Sequence, residues 1–596
     1  MKRRLLAALC CVLVLTGCGP RRTEVAAAEP PPEGAEIAYV PLDDRPDNVE
    51  RVVYLAESMG YVLAMPEADL YRTRLDGQPP NANGTQSGDR AALYQWLLDQ
   101  EAAGCDRYVI SVDQLLSGGL VNSRAMSRHE DIRLRDGETG EETALTEFRL
   151  LEALLSALAE DPDNRVWLLD SVMRLAPTVG YQGGALEAYN ALRAYGAEPR
   201  PELPGGEMDL EGIEACYRLG GDGGVLPLAD YGLTEDQAAA YLAARSRKLE
   251  LSDAVLKLAA DIGGDRFRVL IGIDDSSEEN SIQKNEIAYL RALLREGDAL
   301  LSGVDDLAFK AVTKLYLEET GWEGAPVSVT YFGGTEDRPA CAYDYKPLTE
   351  IVEEHFGFFG LRETPPGEAA LRLLVLTQPA DGGEKEAYCR ALIEALHAAR
   401  REEVPVILVD AGNGTYGTAF HDALTERTEL GWLLSYAGFL DMAIVTGTAL
   451  SHGVARYAVL QQGTATEAMD RAFARTLADS VLKDFCYKNR VREEILAYVR
   501  NDLEGNADNF WQPDIDRAAV LERLEDGMEA AAAAVIRNLE RSSLIADLSP
   551  YGEKGWGGVE LGRYCFPWDR AFEIGMEIRL GAFTEPHRQI FGIYYQ

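Results

Sequence analysis

Two adjacent carboxylates, Asp274 and Asp275, end the apolar run Arg268-Val269-Leu270-Ile271-Gly272-Ile273 and precede the polar stretch Ser276-Ser277-Glu278-Glu279-Asn280. A parallel strand buried on both faces reads as an unbroken apolar run, and functional groups in α/β proteins collect beyond the carboxyl ends of such strands. Two carboxylates on one side of a cleft can protonate a leaving oxygen and attack, activate water or orient a neighbouring amide, which is the logic of glycoside hydrolysis. On that reading Asp275 is the general acid and Asp274 supports the developing positive charge. The competing reading is that both residues cap a helix beginning near Ser281, a common role for Asp and Ser at such a turn.

The same arrangement recurs. Other apolar runs lead into Asp43-Asp44-Arg45, into Asp113 followed by Asn122-Ser123-Arg124, into Asp170 with Arg174, and into Asp410-Ala411-Gly412-Asn413-Gly414. If the strands are parallel, these groups gather on one rim and form a cleft of carboxylates and arginines. The residues expected to hold substrate there are Asp43, Asp44, Arg45, Asp113, Asn122, Arg124, Asp170, Arg174, Asp410 and Asn413, and Asp305, Asp306 and Tyr436 join them only through the longer motifs taken up below. A non-catalytic protein that binds a sugar or wall fragment would use the same carboxylates as hydroxyl acceptors. A hydrolase using Mg²⁺ or Ca²⁺ would hold the ion on Asp43, Asp44, Asp113 and Asp274, because hard cations take oxygen ligands. No organic cofactor is expected, and the six histidines form no metal-ligand pattern.

The elements that must position these groups alternate. Strands are predicted at 37–42, 61–64, 108–112, 166–169, 269–273, 327–331, 373–377 and 406–409, with amphipathic helices such as 91–103, 147–158 and 385–400 between some of them. Alternating strands and helices imply crossover units and a parallel sheet. The fold class is therefore α/β, with eight strands that fit a closed, TIM-barrel-like arrangement, slightly favoured, or one or two open doubly wound sheets. The α/β main domain is expected over 36–463, a helical region over 464–548 and a short C-terminal β segment over 549–596, whose aromatic residues read as core or docking contacts. Ser117-Gly118-Gly119-Leu120 lacks the spacing of a phosphate loop, and no Gly-x-Ser-x-Gly elbow is present.

Composition narrows the partners. The chain has 596 residues, 58 basic against 98 acidic, for a net charge of −40. That balance repels nucleic acid and anionic membrane surfaces and favours neutral or cationic ligands. Met1-Lys2-Arg3-Arg4, an apolar run over 5–15 and Leu15-Thr16-Gly17-Cys18 look like a bacterial lipoprotein signal over 1–17, cleaved before Cys18, which then carries lipid. The Pro-, Ala- and Glu-rich stretch 18–35 reads as a tether. The expectation is an extracytoplasmic protein held at the membrane only by that lipid and acting on a small molecule or glycan. Six cysteines remain beyond Cys18, scattered without paired spacing, which argues against a zinc ribbon or a dense disulfide framework.

An ordered set of longer motifs carries a resemblance. Val40-Pro41-Leu42-Asp43-Asp44-Arg45-Pro46, Ser111-Val112-Asp113, Gly118-Gly119-Leu120-Val121-Asn122-Ser123-Arg124 and Met173-Arg174-Leu175-Ala176-Pro177-Thr178 belong to it. So do Gly272-Ile273-Asp274-Asp275, Gly303-Val304-Asp305-Asp306, Gly447-Thr448-Ala449-Leu450, and Phe566-Pro567-Trp568 with Phe572-Glu573. Together they resemble the bacterial family called domain of unknown function 4127, over nearly the whole mature chain, and that name implies no activity. Where the family pattern implies Trp-Asn-Thr and a second Asn-Thr after Tyr436-Ala437-Gly438, this chain has Phe439-Leu440-Asp441 and Ile444-Val445. If those asparagines bind substrate, this member has altered the contact, since Leu and Ile offer no hydrogen bond.

Overall fold

In a computed structural model, residues 34–581 are described except 136–138, 276–279, 340–342, 345, 381–383, 440–441, 508, 511, 513, 545–555 and 557. The signal segment, nearly all of the tether, Cys18, Leu440 and Asp441 lie outside the described residues. All eight predicted strands form, with small shifts at their ends. They are divided between two open parallel sheets, so of the arrangements expected the protein adopts the doubly wound one and not a barrel.

The first sheet contains β1 (Ala35–Val40), β2 (Tyr61–Ala64), β3 (Arg107–Ser111), β6 (Arg165–Val172), β7 (Phe267–Ile273) and β8 (Ala299–Ser302), in the order β2-β1-β3-β6-β7-β8. A small antiparallel hairpin, β4 (Ile132–Arg135) and β5 (Glu142–Leu145), is inserted between β3 and β6. The second sheet contains β9 (Ala325–Phe332), β10 (Leu361–Glu363), β11 (Leu371–Leu376), β12 (Val406–Asp410) and β13 (Ser435–Gly438), in the order β10-β9-β11-β12-β13. Each sheet places its second strand outside its first and then proceeds the other way, so the two halves share one winding rule.

Alternation along the strands decides the layers. Ala38, Val40, Tyr108, Ile110, Val166, Leu168, Val269 and Ile271 face one core with the helices Arg90–Ala102, Glu147–Ala159 and Glu235–Leu258. Their neighbours Ile37, Tyr39, Val109, Trp167, Leu169 and Leu270 face a second core with the helices Glu50–Ser58 and Leu307–Glu319. The helix Met442–Gln462 packs on Leu307–Glu319 and on β12 and β13, so this core continues without a break into the second sheet. Burying both sheet faces explains why the strands read as continuous apolar runs.

The chain beyond 463 is helical as expected, with helices Glu467–Val481, Arg492–Asn501 and Arg517–Arg541. A π-helical stretch, Leu482–Val491, joins the first two. The tail forms the antiparallel pair β14 (Val559–Cys565) and β15 (Gly575–Leu580).

Candidate functional site

The turns after β7 and β8 meet closely. A Cβ on Gly272 would overlap the Gly303 carbonyl and Val304, so only glycine allows this approach. The first turn carries Asp274 and Asp275, the second Asp305. They face a small cleft whose opposite wall comes from the second sheet: Tyr343 and Asp344 from the loop after β9, and Ala443 and Ile444 from the helix after β13.

An arginine from a different strand-end loop holds each of the three first-sheet carboxylates. Arg124, after β3, donates from Nη1 to Asp274 Oδ2. Arg174, after β6, donates from Nη1 to Asp275 Oδ2 at 3.1 Å. Arg45, after β1, forks onto both oxygens of Asp305, with Nη1 to Oδ2 at 3.0 Å, while its Nε and Nη2 bind Asp43 at 2.9 and 2.7 Å. Thr178 Oγ1 ties two of the arginines together, accepting from Arg124 Nε at 3.0 Å and from Arg174 Nη2 at 3.3 Å. Five strand ends thus contribute to one charge lattice, and the paired geometry fixes the carboxylates.

Exposure separates roles within the lattice. The side chains of Asp275 and Asp305 are 26% and 27% exposed, that of Asp274 only 10%. Asp274 Oδ1 accepts from the Asp275 amide at 2.9 Å and Oδ2 from Arg124, so both of its oxygens are committed. Burial pushes the Asp274 carboxyl up, to about 6, against the opposing pull of Arg124. The helix Gln283–Leu293 follows Ile282 with no side-chain cap, and only Ser281 Oγ accepts from the Gln283 amide. Capping therefore does not account for Asp274 and Asp275.

The second sheet supplies Asp344, which the sequence analysis missed. Asp344 Oδ1 accepts from the amides of Met442 at 2.9 Å and Ala443 at 3.4 Å, anchoring the loop to the start of a long helix, where partial positive charge favours an anion. Its signal was the 333–347 connection, unusually long for a compact α/β unit, which on general grounds marks a functional loop.

Several expected residues lie elsewhere. Asp170 pairs in register with Ile271, inside the sheet and not beyond its edge. Its carboxylate and that of Asp113 hold the buried Lys248 Nζ, with Asp113 Oδ1 at 2.9 Å, and Ser171 Oγ donates to Asp113 Oδ2 at 2.6 Å. Burial opposes the charge on Lys248, yet the two carboxylates hold its pKa above the ordinary range. Asp306 is fully buried against Lys310 at 2.8 Å, and a Cβ on Gly447 would overlap its carboxylate, so the Gly303-Val304-Asp305-Asp306 and Gly447-Thr448 motifs meet as a helix contact. Asp44 accepts from Trp568 Nε1 at 2.9 Å and from the Thr73 amide at 3.1 Å. Asn122 binds Ser117 O and the Tyr181 hydroxyl.

Asp410 and Tyr436 belong to the second sheet and form a separate, closed cluster with His421. Asp410 Oδ2 lies 3.0 Å from His421 Nε2 and 3.2 Å from the Tyr436 hydroxyl, and Asn489 covers His421 Nδ1. Asn413 sits in the adjoining turn with φ 46°. Neither Asp170, Asp113 nor Asp410 lines the cleft, which corrects the expectation that all strand-end aspartates share one hollow. Asp43, Asp44, Asp113 and Asp274, the expected ligands of a divalent ion, each go to a different partner: Arg45, Trp568, Lys248 and Arg124. Among the described residues no group of three or more His, Cys, Asp or Glu side chains is placed to hold a metal ion.

The chain belongs to the family described as protein of unknown function (DUF4127), whose model matches residues 37–197 and 232–577. No curated protein matches it. Ile444, one of the positions at which an amide was expected from the family pattern, stands on the cleft wall facing the aspartates.

Proposed function

We propose that this cleft binds a polyhydroxylated, sugar-like substrate and hydrolyses a glycosidic bond. The observation that carries the reading is the row of three arginine-locked carboxylates, two of them open to the cleft: fixed carboxylate oxygens accept sugar hydroxyls, and a rigid constellation supports catalysis by position. Asp275, the more exposed of the adjacent pair, is the general acid that protonates the leaving oxygen. Asp274, deeper and served by two donors in its ionised form, supports the positive charge that develops at the anomeric carbon, where water adds and gives a proton back to Asp275. Asp305 accepts substrate hydroxyls, and Asp344 holds the facing wall in place.

The test is a screen of the domain beginning after the tether against model glycosides and wall fragments, with Asp274→Asn and Asp275→Asn in parallel. Loss of sugar release in both variants is expected; full activity in both removes the proposal. The matching of Asp274, Asp275 and Asp305 each to an arginine also suits a protein that binds sugars without turnover. Tight binding with no release in the wild type would select that second reading. We further propose that a lipid on Cys18 places the protein outside the cytoplasm. That rests on the N-terminal sequence alone; among the described residues no helix is long and apolar enough to cross a membrane.

A further inference from the structure

We infer that Trp568, in the tail, is a positioning residue of the cleft that sets Asp305 through Arg45. The tail crosses back to the rim of the first sheet and grips one dipeptide of the β1 loop in two ways. Its indole N–H donates to Asp44 Oδ1 at 2.9 Å, and its ring lies under the Arg45 guanidinium, 5.0 Å from centroid to Cζ. Arg45 is asked to hold two carboxylates at once, the fully buried Asp43 and the cleft-facing Asp305. A single cation between two anions can lean toward either. An aromatic face beneath the guanidinium fixes its plane and keeps water from one side, which favours the geometry in which both forks are made.

The backbone at this point is strained. Trp568 and Asp569 both lie in the left-handed region, with φ 56° and 51°, a conformation that non-glycine residues seldom adopt singly and that is rarer in succession. Strain of this kind persists only where surrounding contacts over-determine it. Here Asp569 Oδ2 accepts from Gln78 Nε2 at 2.8 Å, its carbonyl accepts from the Phe510 amide at 2.8 Å, and Arg570 Nη2 donates to Val179 O at 2.7 Å. Trp568 is only partly buried; it rests on Leu75, Val121, Ala125 and Tyr181 and beside Phe572, contacts that any apolar ring would make, whereas those to Asp44 and Arg45 need this ring in this place. The arrangement makes sense when the ring's task is to hold Arg45.

The inference uses Asp305 as a cleft carboxylate and stands whether the cleft turns substrate over or only binds it. Its test is carbodiimide coupling of the full chain to an amine, with labelled aspartates quantified by mass spectrometry in wild type, Trp568→Ala and Trp568→Phe. In Trp568→Ala the labelling rate of Asp305 should rise several-fold while that of Asp275, held by Arg174, stays at its wild-type value. Trp568→Phe keeps a ring under Arg45 and should remain close to wild type at Asp305. Unchanged labelling of Asp305 in Trp568→Ala overturns the proposal. So does an equal rise at Asp305, Asp275 and the buried Asp306, which would show a tail that merely holds the fold together. Sugar release plays no part in this readout, so an inactive wild type leaves it decisive.

Discussion

The two sheets wind by the same rule, yet single aspartates at their carboxyl edges meet opposite fates. At the first, Asp275 and Asp305 stand open to a cleft with arginines behind them. At the second, Asp410 is 7% exposed and is enclosed by His421, Tyr436 and the π-helical stretch that carries Asn489. An aspartate at a strand end is therefore no mark of a site on its own. What lies over the edge decides: loops that part leave a cleft, whereas a helix laid across the edge turns the same carboxylate into an internal fastening.

That contrast can be broken by experiment, most sharply at its two poles. Asp275→Asn should lower the rate of glycoside cleavage by about 10²–10⁴-fold, the usual worth of a general acid, while Asp410→Asn should leave the rate within a few-fold of wild type and lower the melting temperature instead. Equal losses of rate in both would abolish the distinction between the edges. Below the first edge, Lys248→Met leaves Asp113 and Asp170 as unpaired buried charges and should cost about 3–5 kcal/mol in urea unfolding. A loss under about 1 kcal/mol would mean that those carboxylates reach water.

The next effect is on pH. Asp274 is needed as a carboxylate, and burial holds its proton up to about pH 6. Activity should therefore fall about tenfold per pH unit below that value, and a profile that stays flat down to pH 5 would contradict the role given to Asp274. Stability runs the other way. With its folded pKa above the ordinary carboxylate value, Asp274 contributes stability that is present below about pH 4 and is lost as pH rises through about 6. The smallest effect belongs to the closed edge. Tyr436→Phe removes one hydroxyl from the Asp410 cluster and should cost about 1 kcal/mol without altering sugar release.

Much of this was legible in the sequence. Strands buried on both faces announce themselves as apolar runs, and the aspartates that close one of them led directly to Asp274 and Asp275, while Asp305 came only from the motif Gly303-Val304-Asp305-Asp306 of the family resemblance. Other elements were silent for physical reasons. β8, β10 and β13 are short, with four, three and four residues, too little chain for a period to show. Whether strands close into a barrel or split into two sheets depends on which helix packs on which face, and apolar runs carry no record of that. Asp170 and Asp410 were misplaced because register and overlying helices, not residue type, determine whether a strand-end carboxylate is covered. Asp344 was missed because it belongs to a loop without periodicity.

The unbroken core that runs from the first sheet through the helices Leu307–Glu319 and Met442–Gln462 into the second has a mechanical consequence. Two lobes glued over a broad greasy interface cannot swing like jaws, so the notch between them is ready before any guest arrives and shuts little once it is occupied. Cutting the gene between β8 and β9 would strip each fragment of its shared padding, and neither piece should stay in solution alone.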